Sequence, residues 1–249
     1  MKPDRYTVRV QTTSDLKGLR PLLEQWTKLI QEYCEENHRT DNPWWYGERA
    51  NLSLLAGAAW RLANGWHALE EFPTTKRRTR GGATAVEPVV PEDGVEKTKK
   101  QSPRGRCDLY VSHRSTGFAI EAKQAWQNVS PAARLDRFSD AMQQARRDAG
   151  NLHAGEADHR IGAVFVVPFV PLRQLREPGG KKTSIDLRKG ADMVATWIEE
   201  SQVAEHSAYA YVYTHASGDY IHAKSGRLFP GVILVLSRCR TGARAASGN

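Results

Sequence analysis

Cys107-Asp108-Leu109-Tyr110-Val111 is followed, after six intervening residues, by Phe118-Ala119-Ile120-Glu121-Ala122-Lys123, and the pairing of these two segments sets how the rest of the chain can be arranged. Successive residues of a strand project to opposite faces. Read as strands over 106–113 and 117–126 joined by a tight turn, the first places Cys107, Leu109 and Val111 on one face and Asp108 and Tyr110 on the other. The second separates Phe118, Ile120 and Ala122 from Glu121 and Lys123. A turn centred between Ser115 and Thr116 sets Val111 opposite Ile120, Leu109 opposite Ala122 and Asp108 opposite Lys123. The apolar faces then merge, and Asp108, Glu121 and Lys123 converge on the other side. A slip of one residue would carry Asp108 onto the apolar face, which burial forbids.

In that register Asp108 and Glu121 are diagonal neighbours, with Cβ atoms roughly 7 Å apart or less. Two carboxylates so close repel, and a divalent cation offsets the repulsion. Both can reach one Mg²⁺ or Mn²⁺, a hard cation that takes oxygen ligands. Lys123 beside them can orient a nucleophilic water or offset charge on a phosphate.

Outward from the hairpin, a helical pattern over 21–36 carries Leu22, Trp26, Leu29, Ile30 and Tyr33, and Pro21 suits its first turn. Asp41-Asn42-Pro43 signals the start of a second helix over 44–64, with the stripe Leu52, Leu55, Ala59 and Leu62. Glu48 begins that stripe, so its carboxylate faces what the leucines face and needs a partner there; the alternative is a first-turn acid favoured by the helix dipole. A strand follows over 68–75. Ser130-Pro131 reads as the cap and first turn of a helix to 149, with Leu135, Phe138, Met142 and Ala145 on one face. Gln143 lies at the edge of that face, and Gln144 points further away. The nearly continuous apolar run 161–170 predicts a central buried strand. A helix over 187–201 and strands over 209–215 and 232–237 close the chain, before a basic tail.

The charge balance narrows the partners. There are 36 Lys and Arg against 28 Asp and Glu in 249 residues, a net charge of +8. A field of that sign favours anionic partners, nucleic acid foremost. The strongly apolar run 163–172 is far short of the roughly 20 residues of a spanning helix and holds Pro168 and Pro171, so no membrane partner is expected. Three scattered cysteines form no disulfide framework and suit a reducing cytoplasm. The basic segment 76–106 reads as a long loop. Its Lys76, Arg77, Arg78, Arg80, Arg104 and Arg106, with Arg146 and Arg147, are the candidate phosphate contacts. Trp44, Trp45 and Tyr46 at a helix start read as core in preference to base contacts. The histidines show no zinc spacing.

Asp108, twelve intervening residues, then Glu121-x-Lys123 across a hairpin resembles the PD-(D/E)XK nuclease superfamily, which includes many restriction endonucleases. The resemblance implies an α/β fold with a restriction-endonuclease-like αβββαβ core, a mixed sheet flanked by helices, over 44–170. Around it lie an N-terminal helical extension, 1–43, and a C-terminal helix and strands, 171–249, that complete the same domain. It implies hydrolysis of phosphodiester bonds, in DNA before RNA, with Asp108, Glu121, the Ala122 carbonyl and Glu48 as metal ligands. Lys123 and Gln143 would join the catalytic set, and a homodimer would cut both strands. One departure is that Cys107 stands where the family name has Pro. The alternatives are a catalytically silent nucleic-acid-binding module of the same fold, an RNA-directed nuclease, and a basic adaptor for an acidic protein. On the bland view, the trio is a surface salt-bridge group.

Overall fold

Trp26 meets Phe165, with ring centroids 6.2 Å apart, and three residues earlier Gly162 meets the backbone of another helix. Residues three apart on a strand project to opposite faces, so helices cover this strand on both sides. That explains why 161–170 is apolar without alternation. In the computed structural model, which describes residues 6–75, 104–131, 133, 136–153, 155–176, 185–214 and 220–239, this strand is β5 (His159–Pro171).

The chain opens with β1 (Tyr6–Thr12), α1 (Arg20–Glu36) and α2 (Glu48–Arg61), and continues with β2 (Trp66–Thr75), β3 (Arg104–His113) and β4 (Thr116–Asn128). Helix α3 (Arg137–Asn151) leads into β5. Then come α4 (Leu187–Glu200), β6 (Ala208–Thr214), a ribbon of β7 (Ile221–His222) and β8 (Arg227–Leu228), and β9 (Gly231–Arg238). The sheet order is β1-β6-β9-β5-β4-β3-β2, with the ribbon paired to the end of β5. β4 and β5 are parallel, joined by the α3 crossover, and the neighbours on either side are antiparallel, so the sheet is mixed. No helix among the described residues is long and apolar enough to cross a membrane.

Three sequence expectations change. The N-terminal segment is not purely helical: β1 pairs along the whole of β6 and forms a sheet edge. The second helix starts at Glu48 and not at 44, because Asn42 accepts the Trp45 N–H and closes a separate 3-10 turn over Pro43–Trp45. The third starts at Arg137, past Ser130-Pro131. Its cap is Asp136, which accepts from Ser139, and Gln127 of β4 accepts the N–H groups of Arg137 and Phe138. Leu135 lies outside the described residues.

Helix α3 is fixed to the sheet at three points. Gln127 holds its start. Arg160 of β5 donates to the carbonyls of Gly150 and Leu152 at its end, at 3.2 and 2.7 Å, satisfying acceptors the helix cannot. Between them the helix lies directly on Gly162, where a Cβ would come within 2.7 Å of Arg146 N and 2.8 Å of Ala145 C. Only glycine permits that approach.

Candidate active site at a fork between two strands

The hairpin turns at Arg114-Ser115, with Arg114 in the left-handed region at φ 55°. His113 pairs with Thr116, Val111 with Phe118 and Leu109 with Ile120. The register therefore differs by two from the one read from sequence, because the turn is centred one residue earlier. A shift of two preserves faces, and Leu109, Val111, Phe118, Ile120 and Ala122 share the main core. Continued one step, this register sets Asp108 opposite Glu121 and leaves Lys123 diagonal to it.

That step is never taken. β3–β4 pairing ends at Leu109 and Ile120, and on the β2 side Asp108 is also skipped between the pairs Leu109–Glu70 and Cys107–Phe72. Glu71, beside the gap, has φ 52°. The irregularity flips the strand's parity: Cys107 leaves the face of Leu109 and Val111 and is buried with Ala119 and Leu152, near Phe72 and Tyr110. The expected common face for Cys107, Leu109 and Val111 is thus corrected.

Freed from the ladder, Asp108 turns its side chain along the sheet. Its Oδ2 accepts the Ala122 N–H at 2.8 Å, in the place of a backbone carbonyl. Two residues on, and so on the same edge of β4, the Gln124 N–H is taken by Glu48 from the first turn of α2. Asn51, one turn further along α2, donates to Gln124 Oε1 at 3.0 Å. Lys123 Nζ donates to the Ala122 carbonyl at 2.9 Å and pairs with Asp148 of α3 at 3.0 Å. Asp108, Glu48 and Lys123 therefore gather around one short edge of β4, left unpaired by β3 beyond Ile120.

Burial raises the Glu48 carboxyl above the ordinary glutamate range. Lys123 pulls it down, Asp108 pushes it up, and the Gln124 N–H again favours the charged form. For Lys123, burial alone would lower the ammonium, but the Asp148 hydrogen bond and charge, with Asp108 and Glu48, carry it above the ordinary lysine range. Lys123 is a fixed cation and not a proton acceptor. Glu121 is 3% exposed, and its charge adds to burial in pushing the Cys107 thiol up to about 12. Among the described residues, no three His, Cys, Asp or Glu side chains stand close enough together to form a ready metal cluster.

Other predicted residues lie elsewhere. Gln143 is exposed on α3 and lines a groove of about 880 Å³ with Arg146, Arg147, His206 and Arg238. The α3 residue that reaches the fork is Asp148, five positions on and about 140° around the helix. Gln143 is corrected accordingly. Arg106 is exposed and pairs with Glu71 at 3.7 Å. Lys76, Arg77, Arg78 and Arg80, and the side chain of Arg104, lie outside the described residues. Trp44 is core, fully buried with its indole N–H on the Phe229 carbonyl, whereas Tyr46 is exposed.

Sequence reasoning passed over Arg49, Asn51, Gln124 and Asp148. Asn51 could have been found as a polar residue one turn after Glu48, and Asp148 as an acid flanking the Ala145 and Ala149 stripe. No family model, curated protein or solved structure matches this chain.

Proposed function

We propose that this protein is a metal-dependent nuclease of the PD-(D/E)XK type that hydrolyses phosphodiester bonds, with DNA as substrate. The observation that carries the reading is the convergence of Asp108, Glu48 and Lys123 on the β4 edge around Ala122. The element order α2-β2-β3-β4-α3-β5 supports it, being the αβββαβ order of that superfamily.

The residues at the fork fit Mg²⁺ or Mn²⁺. Carboxylates and a carbonyl are the hard oxygen donors these ions take. Asp108 spends one oxygen on Ala122 and keeps a second. The Ala122 carbonyl already faces positive charge, the Lys123 ammonium. Asp108, Glu121, Glu48 and that carbonyl would hold the ion. When bound, it would lower the pKa of an attacking water and offset phosphate charge.

The chain's own groups do the rest. Lys123, kept charged by Asp148, would contact a phosphate oxygen and stabilise charge that grows in the transition state. Glu48, raised by burial, would orient the attacking water. Asp108 is held in one orientation at the strand edge by the Ala122 N–H. Arg146 and Arg147 would add salt-dependent contacts, and cleavage of both strands of a duplex calls for a homodimer.

One observation favours a second reading. Among the described residues no three acids stand together as a ready cluster, and a fork that binds nucleic acid without cutting it, a silent module, needs none. The two separate in one assay: purified protein with supercoiled DNA, linear DNA and RNA, in Mg²⁺, Mn²⁺ or EDTA, beside Glu121→Gln and Lys123→Ala. The nuclease reading expects metal-dependent cleavage, lost in both variants. Chelator-insensitive binding without cleavage would establish the silent module, and cleavage of RNA alone would reassign the substrate.

A further inference from the structure

Glu71 sits in the interior of β2 with φ 52°, a conformation that a bulky residue keeps only where its surroundings hold it. Two arginines hold it here. Arg49, from the first turn of α2, and Arg106, from β3, both pair with its carboxylate; their side chains are 75% and 72% exposed. Both guanidiniums meet at Glu71, which lies opposite Asp108 at the gap in the β2–β3 ladder. Arg49 follows Glu48 and lies in the fields of Asp108 and Glu48, and Arg106 is two residues from Asp108.

We infer that Arg49 and Arg106 form a binding pair for a backbone phosphate of duplex DNA, and that Glu71 occupies the pair as an internal stand-in until DNA displaces it. The inference rests on the nuclease reading in taking DNA as the ligand, but it concerns binding and not cleavage. A carboxylate and a phosphate present the same kind of acceptor to a guanidinium, and the phosphate offers more oxygens. Exposed ion pairs contribute little net stability, so exchange is easy, and counterion release from DNA favours it. The break in the ladder supplies the geometry: Glu71 stands opposite Asp108 in the unbroken β2–β3 register, and its carboxylate is the one that reaches both arginines.

The test is fluorescence anisotropy with a fluorescein-labelled DNA duplex in EDTA, so that no cleavage is needed, over a series of KCl concentrations. Glu71→Gln should tighten binding by about 3- to 10-fold, because it removes a competitor for the arginines. Glu71→Gly, whose backbone tolerates the same φ, should tighten it likewise and guards against a misfolded Gln variant. Arg49→Ala should weaken binding and lower the slope of log K against log salt by about 0.9. In an Arg49→Ala/Arg106→Ala background, Glu71→Gln should have no effect. The inference is overturned if both Glu71 variants leave affinity unchanged or weaken it, if they tighten it equally without the arginines, or if the protein does not bind DNA. Binding that responds as expected in a protein that never cleaves would sink the nuclease reading alone. Intact cleavage with binding indifferent to Glu71 would sink this inference alone.

Discussion

Lys123 Nζ stands 3.0 Å from Asp148 Oδ2, while the same ammonium donates to the Ala122 carbonyl at 2.9 Å, so a single side chain ties α3 to the open edge of β4. The pair is only partly exposed, 22% for Lys123 and 34% for Asp148, which places it between a surface ion pair and a buried one.

Asp148→Asn removes the strongest influence holding Lys123 charged and in place. We expect activity to fall by about 10- to 100-fold, as for other residues that act through a neighbour, and stability by about 1 kcal/mol. The change should appear in kcat more than in KM. A double-mutant cycle with Lys123→Ala reads the coupling: strongly non-additive losses are expected, and additive ones would show that Asp148 acts elsewhere.

Glu48 predicts a pH dependence. Its folded carboxyl is raised, by burial first, above the ordinary value of 4.5. The folded state thus binds more protons than the unfolded one in the window above 4.5, and this group's contribution is fully present below that value and lost as pH rises through the folded pKa. In EDTA, Glu48→Gln should match wild type near pH 4 and exceed it near pH 7, by under about 1 kcal/mol after solvent screening. Adding Mg²⁺ should stabilise wild type more than the variant. Thermal melts at the two pH values, with and without Mg²⁺, check both parts; a variant destabilised at pH 7 in EDTA would contradict the first.

Gly162→Ala tests whether α3 must lie flat on the sheet. The added carbon would meet helix backbone, which cannot rotate aside as a flexible side chain can. A loss of about 1–3 kcal/mol is expected on denaturant unfolding. Activity measured well below the new melting temperature should fall too, because displacing α3 carries Asp148 from Lys123. Full activity in a destabilised variant would show that the site does not depend on this contact.

The legible parts of the fold were those written in local patterns. The unbroken apolar run of β5 marked it as buried on both faces, the stripes of α1 and α2 needed only periodicity, and parity alone joined Leu109 and Val111 to Phe118 and Ile120. The position of Glu48 at the fork was also readable, since it begins a stripe that must face the sheet. Illegible were the features set by long-range geometry. β1 pairs with β6, some 200 residues away, and nothing local marks it as a sheet edge. The left-handed backbone at Glu71 carries no glycine signal, so neither the flip of Cys107 nor the turn of Asp108 out of the ladder could be anticipated. Gln143 and Asp148 both flank the apolar stripe of α3, so the stripe alone does not say which of them meets Lys123; the docking of α3, held at its start by the Gln127 cap from β4, does.

On the proposed function, Asp108, held at the fork by the Ala122 N–H, would act on a phosphodiester together with Lys123. Single-turnover nicking of supercoiled plasmid in Mn²⁺ by wild type and by Asp108→Asn tests it most directly, since Asn keeps the shape and a hydrogen-bond acceptor but removes the charge. The expected result is nicking by wild type that EDTA abolishes, and a rate at least about 100-fold lower in the variant. Equal rates for the two proteins, or no nicking by wild type under any divalent cation, would contradict it.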